Sequence, residues 1–380
     1  MAESFGLELQ AESGGARRGR LTTVHGRVQT PAFMPVATYG AVRGIGPDEL
    51  AEAGAEILLA NTYHLHERPG EETVEALGGL HGFTGWEGPW LTDSGGFQIT
   101  SLSDRARIDE QGVTFTSTLD GRRRQLTPES AIRVQEALGA DIAMVLDECI
   151  PLDDAADRRT DARRAERAME RTLRWAERSL AARSRPSQAV FAIVQGGASE
   201  TLRRRSAEAT AQLDFEGYAH GGLGLGESRE ERRAAVAIAN EILPRERPRY
   251  LMGLGRPLDL LDGVAAGVDL FDCVVPTRNG RHGLLFTSRG LLNLRNARFE
   301  RDPAPPDPEC ACPACGRHSR GYLRHLIRSG ETLGARLAAL HNLTYYMNLL
   351  RRVRRAISDG SFMALHREIE ELAELRVRDD

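Results

Sequence analysis

Five short apolar stretches in this chain each end on one polar residue suited to chemistry. Trp90-Leu91 leads to Asp93, Ile142–Leu146 to Asp147, Val190–Val194 to Gln195, Val268–Phe271 to Asp272, and Glu56–Ala60 to Asn61. A guanine-like edge offers two adjacent N–H donors and one oxygen acceptor; one carboxylate accepts both donors and an amide N–H serves the oxygen. Asp147, Gln195 and a Gly-Gly backbone N–H meet that demand, and Phe97, backed by Met252, offers a flat face for a ring. Asp93 and Asp272 are left for bond-making. Two carboxylates flanking a glycosidic carbon suit double displacement, one as nucleophile and one as proton carrier. Taken singly, Asp93 in Leu91–Gln98 (LTDSGGFQ) and Asp272 in Phe271–Arg278 (FDCVVPTR) equally suit an Asx-turn or helix cap. The run Gly221–Glu227 (GGLGLGE) lacks the lysine and spacing of a P-loop and reads as a Gly-rich strand-to-helix turn exposing its amides.

A second constellation is Cys310-x-Cys312-x2-Cys315. Three thiolates this close form a chelating knuckle, and tetrahedral zinc needs a fourth ligand. His318, His325 and His341 are available; His341 returns along a helix after a loop-sized excursion and is preferred. A Cys3His set is closed to substrate, so its zinc is structural. Cys149 and Cys273 stand apart and read as small pocket or core residues.

The elements that must position these groups follow from periodicity. Buried parallel strands read as short continuous apolar runs, and in a (β/α)8 barrel strand ends at the C-terminal face carry the catalytic groups. Helical spacing runs from about Asp154 to Arg183, with Met169, Leu173, Ala176 and Leu180 on one face. Further helices are expected near Ser199–Leu213, Ser228–Leu243, Pro257–Ala266, Leu333–Ile357 and Phe362–Leu375. Strand–helix alternation gives an α/β class with a parallel sheet. The expected organisation is a barrel over 1–300, a zinc-binding subdomain over 301–350, opened by the Pro-rich stretch Arg301–Pro313, and a C-terminal helix over 351–380 packed on the barrel.

At 380 residues and 41% hydrophobic composition the chain can bury a full-sized core. Its apolar runs fall short of a bilayer span and Met1–Ser4 lack the start of a signal peptide, so a cytoplasmic location is expected. A net charge of −4 hides a split: residues 281–355 hold 14 arginines against 5 acids, leaving 36 basic and 49 acidic residues elsewhere. All 50 basic residues are arginine, whose planar fork grips phosphates in paired hydrogen bonds. A basic segment on an acidic body fits a local polyanion site; solvated helix faces are the plainer reading of the same charges.

In their order, these motifs resemble those of the bacterial tRNA-guanine transglycosylases, the base-exchanging enzymes of queuosine synthesis. The resemblance begins at Arg17–Gly44 and takes in Ala60–Leu65 (ANTYHL), LTDSGGFQ, Asp147–Cys149, Val194–Gly197 (VQGG) and GGLGLGE. It continues through Arg249–Gly255 (RYLMGLG), Phe271–Gly283, the cysteine trio and His341–Tyr346 (HNLTYY). It implies a modified (β/α)8 TIM barrel with a zinc subdomain, acting as a homodimer on the anticodon loop of tRNA. Asp272 becomes the nucleophile at C1′ of the wobble guanosine, and Asp93 the acid/base. Asp147, Gln195 and Gly222 hold the purine beside Ser94, Gly95, Gly96 and Met252; Leu223 offers its carbonyl and Phe97 stacks. Gly253, Leu254, Gly255, Arg256, Pro257, Leu258 and Asp259, with Thr277, Arg278, Asn279, Gly280 and Arg281, line the RNA.

The incoming base is expected to be preQ1, 7-aminomethyl-7-deazaguanine. Leu225 stands where queuine-using relatives carry glycine, leaving less room for a cyclopentenediol, and Cys149 also matches the bacterial pattern. The archaeal relatives carry extra C-terminal RNA-binding domains, whereas this chain ends soon after the zinc segment. His282 replaces a common asparagine. Two rivals remain: a non-catalytic partner subunit, against which Asp93 and Asp272 both speak, and a hydrolytic purine glycosidase, which a dry pocket would suppress.

Overall fold

A computed structural model describes residues 5–102, 106–150 and 158–375. Nine strand segments form one parallel sheet. The segments are β1, Ala32–Met34 and Val36–Ala37, interrupted at Pro35; β2, Leu58–Ala60; β3, Trp90–Thr92; β4, Ile142–Met144; β5, Ala189–Val194; β6, Gly217–His220; β7, Arg249–Leu251; and β8, Leu270–Asp272. The first half of β1 pairs with β8 and the second half with β2, so the two ends of the sheet are pieces of one strand and the barrel closes through it. This is the α/β barrel expected from the sequence. Successive strands are joined by helices, as parallel pairing requires.

The helices begin and end where local chemistry directs. Ser199 caps Glu200–Ala211 by accepting from the Leu202 N–H. Ser228 and Glu231 form a reciprocal capping box at Arg229–Ile242. Pro257 occupies the first turn of Pro257–Ala265, where its missing N–H costs nothing. The expected helix from Asp154 is present as Arg158–Ala182, its earlier residues lying outside the described ones. The two C-terminal helices are Thr332–Ser358 and Phe362–Glu374.

Two features go beyond the sequence reading. An antiparallel sheet, Gly6–Ser13, Ala16–Thr23 and Gly26–Thr30, covers the N-terminal end of the barrel. It is fastened there by side chains preceding the barrel strands: Arg17 Nε donates to Asp269 Oδ1 at 2.9 Å, and the His25 N–H to Asp141 Oδ1 at 3.2 Å. A second antiparallel sheet, Arg107–Asp109, Gly112–Thr116 and Arg123–Leu126, is inserted between β3 and β4. With one end of the barrel sealed, the opposite end is left for the polar residues that terminate the strands.

A smaller core gathers Leu285, Leu292, Phe299, Cys312, Cys315, Leu323 and Ala338. The 27-residue helix Thr332–Ser358 joins it to the barrel, because Tyr346 on that helix donates from its hydroxyl to the Gly255 carbonyl at 2.5 Å. Among the described residues no helix is long and apolar enough to cross a membrane.

Candidate active site

Asp93 follows β3 and is buried among donors. Its Oδ2 accepts from Asn61 Nδ2 at 2.6 Å and Gln98 Nε2 at 3.1 Å; its Oδ1 accepts from the N–H groups of Thr62 at 3.0 Å and Gly95 at 3.1 Å. Asn61 is itself set by its place after β2, where it caps the helix Thr62–Glu67: its Oδ1 accepts from the His64 N–H at 3.1 Å, which aims Nδ2 at Asp93. Burial pushes Asp93 up to about 7, the Thr62 and Gly95 hydrogen bonds oppose that rise, and the charges of Asp272 and Asp147 reinforce it. The three carboxylates therefore share one electrostatic neighbourhood.

Asp272 closes β8 at the mouth. Both of its hydrogen bonds fall on Oδ1, from the Tyr250 hydroxyl and the Gly253 N–H, each at 2.6 Å. Among the described residues no donor reaches Oδ2, so that oxygen keeps its lone pairs. Burial raises the Asp272 pKa, against which the Tyr250 and Gly253 donors act. Tyr250 is buried in β7 and its own pKa is held well above the usual phenol value, first by burial and then by Asp272, so it stays a donor.

Asp147 lies beyond β4, and Gln195 Nε2 donates to its Oδ2 at 2.6 Å. Burial lifts Asp147 to about 6 despite hydrogen bonds from Gln195 and Ser94. Gly222 presses against the same amide: at φ +66°, a Cβ there would lie 2.4 Å from Gln195 Oε1. Gly96 is equally constrained, since its Cβ would meet Leu146 Cδ1 at 2.8 Å and the Asp147 carbonyl at 3.2 Å. A small cleft lined by Glu148, Gln195, Gly197, Gly222 and Glu227 opens beside this group.

The remaining expected positions are distributed around these groups. Ser94 and Gly95 are buried beside Asp93, Leu223 is buried, Met252 is partly buried, and Phe97 is half-exposed on the first turn after Gly96. Gly253, Arg256 and Arg278 are exposed; Leu254, Pro257, Leu258, Asp259, Asn279 and Arg281 are intermediate; Gly255, Thr277 and Gly280 are buried. Gly280 lets two elements touch, because a Cβ would sit 2.6 Å from the Ala338 carbonyl. Burial and the nearby charges of Arg43 and Arg278 lower the pKa of Arg281, marking a crowded cationic rim. In the turn Gly221–Glu227, the N–H groups of Gly224 and Leu225 donate to the Glu227 carboxylate at 2.5 and 3.0 Å, so these two amides are taken up internally.

Sequence reasoning assigned no role to Asn61, Gln98 or Tyr250. Asn61 carried the strand-end signal; Tyr250 carried none, because its partner lies 22 positions away.

Cys310, Cys312, Cys315 and His341 form one cluster whose ligand atoms lie within 4.8 Å of one another. His341 Nδ1 is 3.5 Å from Cys312 Sγ and 3.2 Å from Cys315 Sγ, while Nε2 is 2.8 Å from the Phe286 carbonyl. That carbonyl can only accept, so it places the proton on Nε2 and turns the Nδ1 lone pair to the thiols. The donor set fits tetrahedral zinc. His318 instead lies beside Tyr322, the two rings tilted at 30°, and His325 is exposed.

A closed parallel barrel with convergent carboxylates at its mouth and a Cys3His cluster at its flank defines a barrel enzyme of the glycosyltransferase type. The family model described as TGT, queuine tRNA-ribosyltransferase, matches residues 12–374. The chain belongs to that family. It is 52% identical to a queuine tRNA-ribosyltransferase of Thermus thermophilus over 366 residues, covering 96% of this chain and 94% of the relative. Against the Brucella suis biovar 1 protein of that name it is 51% identical over 361 residues, covering 95% and 94%. A Stenotrophomonas maltophilia protein of the same name is 52% identical over 361 residues, covering 94% of each chain.

Proposed function

We propose that this enzyme exchanges guanine at position 34 of tRNAs with GUN anticodons (Asp, Asn, His, Tyr) for preQ1, through a covalent Asp272–tRNA intermediate. Asp272 Oδ2 attacks C1′ of the wobble nucleotide; the C1′–N9 bond breaks, its electrons leave with guanine, and protonated Asp93 supplies the proton. Guanine departs, preQ1 enters, and Asp93, now a carboxylate, takes the N9 proton. N9 attacks C1′ from the opposite side and Asp272 leaves. Two inversions retain configuration, and the proton given in the first half is recovered in the second. The glycosyl bond is conserved, so neither ATP nor a redox cofactor is required. The target base must be flipped out of the anticodon stack to reach a barrel mouth.

The observation that carries this reading is the division of Asp272, with Oδ1 anchored by two donors and Oδ2 left to react. An Asp93 poised at about 7 beside it suits a group that must give and take a proton near neutral pH. Asp147, Gln195 and the Gly222 N–H supply the purine contacts, and Leu225 with Cys149 supports preQ1 over a bulkier base. Zinc held by Cys310, Cys312, Cys315 and His341 would fasten the segment 301–350 to the barrel, 1–300, with 351–380 packing on its side. A cytoplasmic homodimer acting on the anticodon loop completes the proposal.

The test is incorporation of labelled guanine into tRNA, with preQ1, preQ0 and queuine as competitors. Asp272→Asn should lose both exchange and the denaturant-stable RNA adduct; full exchange in that variant would remove Asp272 from its role. Release of free base without incorporation would instead mark a hydrolase.

A further inference from the structure

Arg203 is a fully buried guanidinium whose hydrogen bonds, among the described residues, all go to main-chain carbonyls. Nε donates to Gly197 O at 2.7 Å, Nη1 to Val194 O at 2.8 Å and Nη2 to Gly221 O at 2.6 Å. Burying a charge with no carboxylate hydrogen-bonded to it among the described residues is costly; three carbonyl dipoles compensate, and the charge of Glu227 adds to them. Burial lowers its pKa to about 10, which leaves it charged at neutral pH. Val194 ends β5 next to Gln195, and Gly197 and Gly221 lie in the turns that carry Gln195 and Gly222, which are glycine-rich: Gly196, Gly197 and Gly222 have φ of +119°, +55° and +66°. Such turns gain definition from a rigid, planar fork.

The Gly221–Gly222 peptide has a further consequence. A trans peptide is planar, with its C=O and N–H directed oppositely. With the Gly221 carbonyl held by Arg203, the Gly222 N–H must point away from it. The Cys149 thiol, a weak acceptor, lies near enough to that N–H for the contact to oppose the rise that burial gives its pKa. A better acceptor would therefore displace the sulfur readily. The charge on the carbonyl side also polarises the peptide and strengthens the N–H as a donor.

We propose that Arg203 is a positioning residue for base specificity: it fixes the Gly221–Gly222 peptide so that the Gly222 N–H reads the acceptor at position 6 of the purine. This rests on the purine reading of the Asp147–Gln195–Gly222 group. It assigns to Arg203 no contact with the base.

Binding of guanine and 6-thioguanine, measured by calorimetry without tRNA, tests it. Both offer N1–H and N2–H to Asp147, but the wild type should favour guanine, since a thiocarbonyl accepts from Gly222 more weakly than a carbonyl. In Arg203→Lys and Arg203→Gln, guanine affinity should fall about 10- to 100-fold while 6-thioguanine changes less, so the preference collapses. For guanine exchange, KM should rise with kcat at saturation kept within about threefold. Equal loss of both ligands would reveal general disruption and overturn the proposal, as would unchanged preference in folded variants. If the variants do not fold, a guanine-bound wild-type structure decides: the proposal stands if Arg203 keeps Gly221 O while Gly222 N meets O6, and falls if that peptide turns away. Guanine binding without exchange would sink the transglycosylation reading and leave Arg203's role intact; a wild type that binds no guanine would sink both.

Discussion

Asp147 and Asp93 are shifted toward neutrality chiefly by burial, at about 6 and about 7. On the proposed reading an ionised Asp147 would accept two purine donors; once protonated it would present a donor of its own and mismatch one of them. Guanine affinity should therefore fall as pH drops below about 6, approaching tenfold per unit, and Asp147→Asn should flatten that dependence while weakening binding throughout. A profile in the variant parallel to wild type would assign the titration elsewhere. Tyr250 invites the complementary experiment. Its hydroxyl stabilises ionised Asp272, so Tyr250→Phe should lower kcat about tenfold and move the acidic limb of the rate profile to higher pH. The sign follows because removing a donor to the carboxylate favours its protonated form. A lower kcat with an unmoved limb would mean that Tyr250 orients Asp272 without tuning it.

At the scale of elements, what could be read in advance was whatever the chain encodes locally. Apolar runs ending on Asp93, Asp147, Gln195 and Asp272 located the strand ends, and the helices expected near Ser199–Leu213 and Ser228–Leu243 stand at Glu200–Ala211 and Arg229–Ile242. The N-terminal sheet escaped because its ties are remote: Arg17 reaches Asp269 across 252 positions, and no local pattern announces that. His25 and His81 meet in the same way, their rings 3.6 Å apart, against buried Asp141. Burial raises the Asp141 pKa, but hydrogen bonds from His81, the Trp90 N–H and His25 together leave it below the usual value. A depressed carboxylate contributes stability above its unfolded pKa, roughly 3.9, and loses it as pH falls through the lower folded value. Asp141→Asn should thus cost about 1–3 kcal/mol at pH 7 by denaturant titration and less at pH 3; an equal cost at both would mean packing alone. The helix Thr332–Ser358 supports a similar argument, since it carries both His341 and Tyr346. Cys312→Ser should bind less than the expected one zinc per chain and expose the C-terminal third to protease, with guanine binding less affected than exchange on tRNA. Metal analysis finding no zinc in the wild type would remove the zinc assignment.

Across the whole molecule, charge separates two kinds of recognition. The segment 281–355 carries +9 and the remainder −13. At the mouth, Arg43, Arg278 and Arg281 stand close enough to oppose one another's charge, an arrangement that costs stability unless an anion offsets it. On the proposed reading, guanine is neutral and would be met by buried hydrogen-bonding groups, whereas the phosphates of RNA would be met by arginines at the exposed rim. Salt should act on one and not the other. Raising ionic strength should increase KM for tRNA steeply while leaving KM for guanine nearly flat, because only the RNA releases condensed counterions on binding. Arg278→Glu should raise KM for tRNA at least tenfold and reduce the salt slope by roughly one phosphate contact, with tRNA-free guanine binding unchanged. If guanine binding weakened in parallel, Arg278 would belong to the architecture of the pocket; an unaltered tRNA slope would place the RNA path on another face of the basic segment.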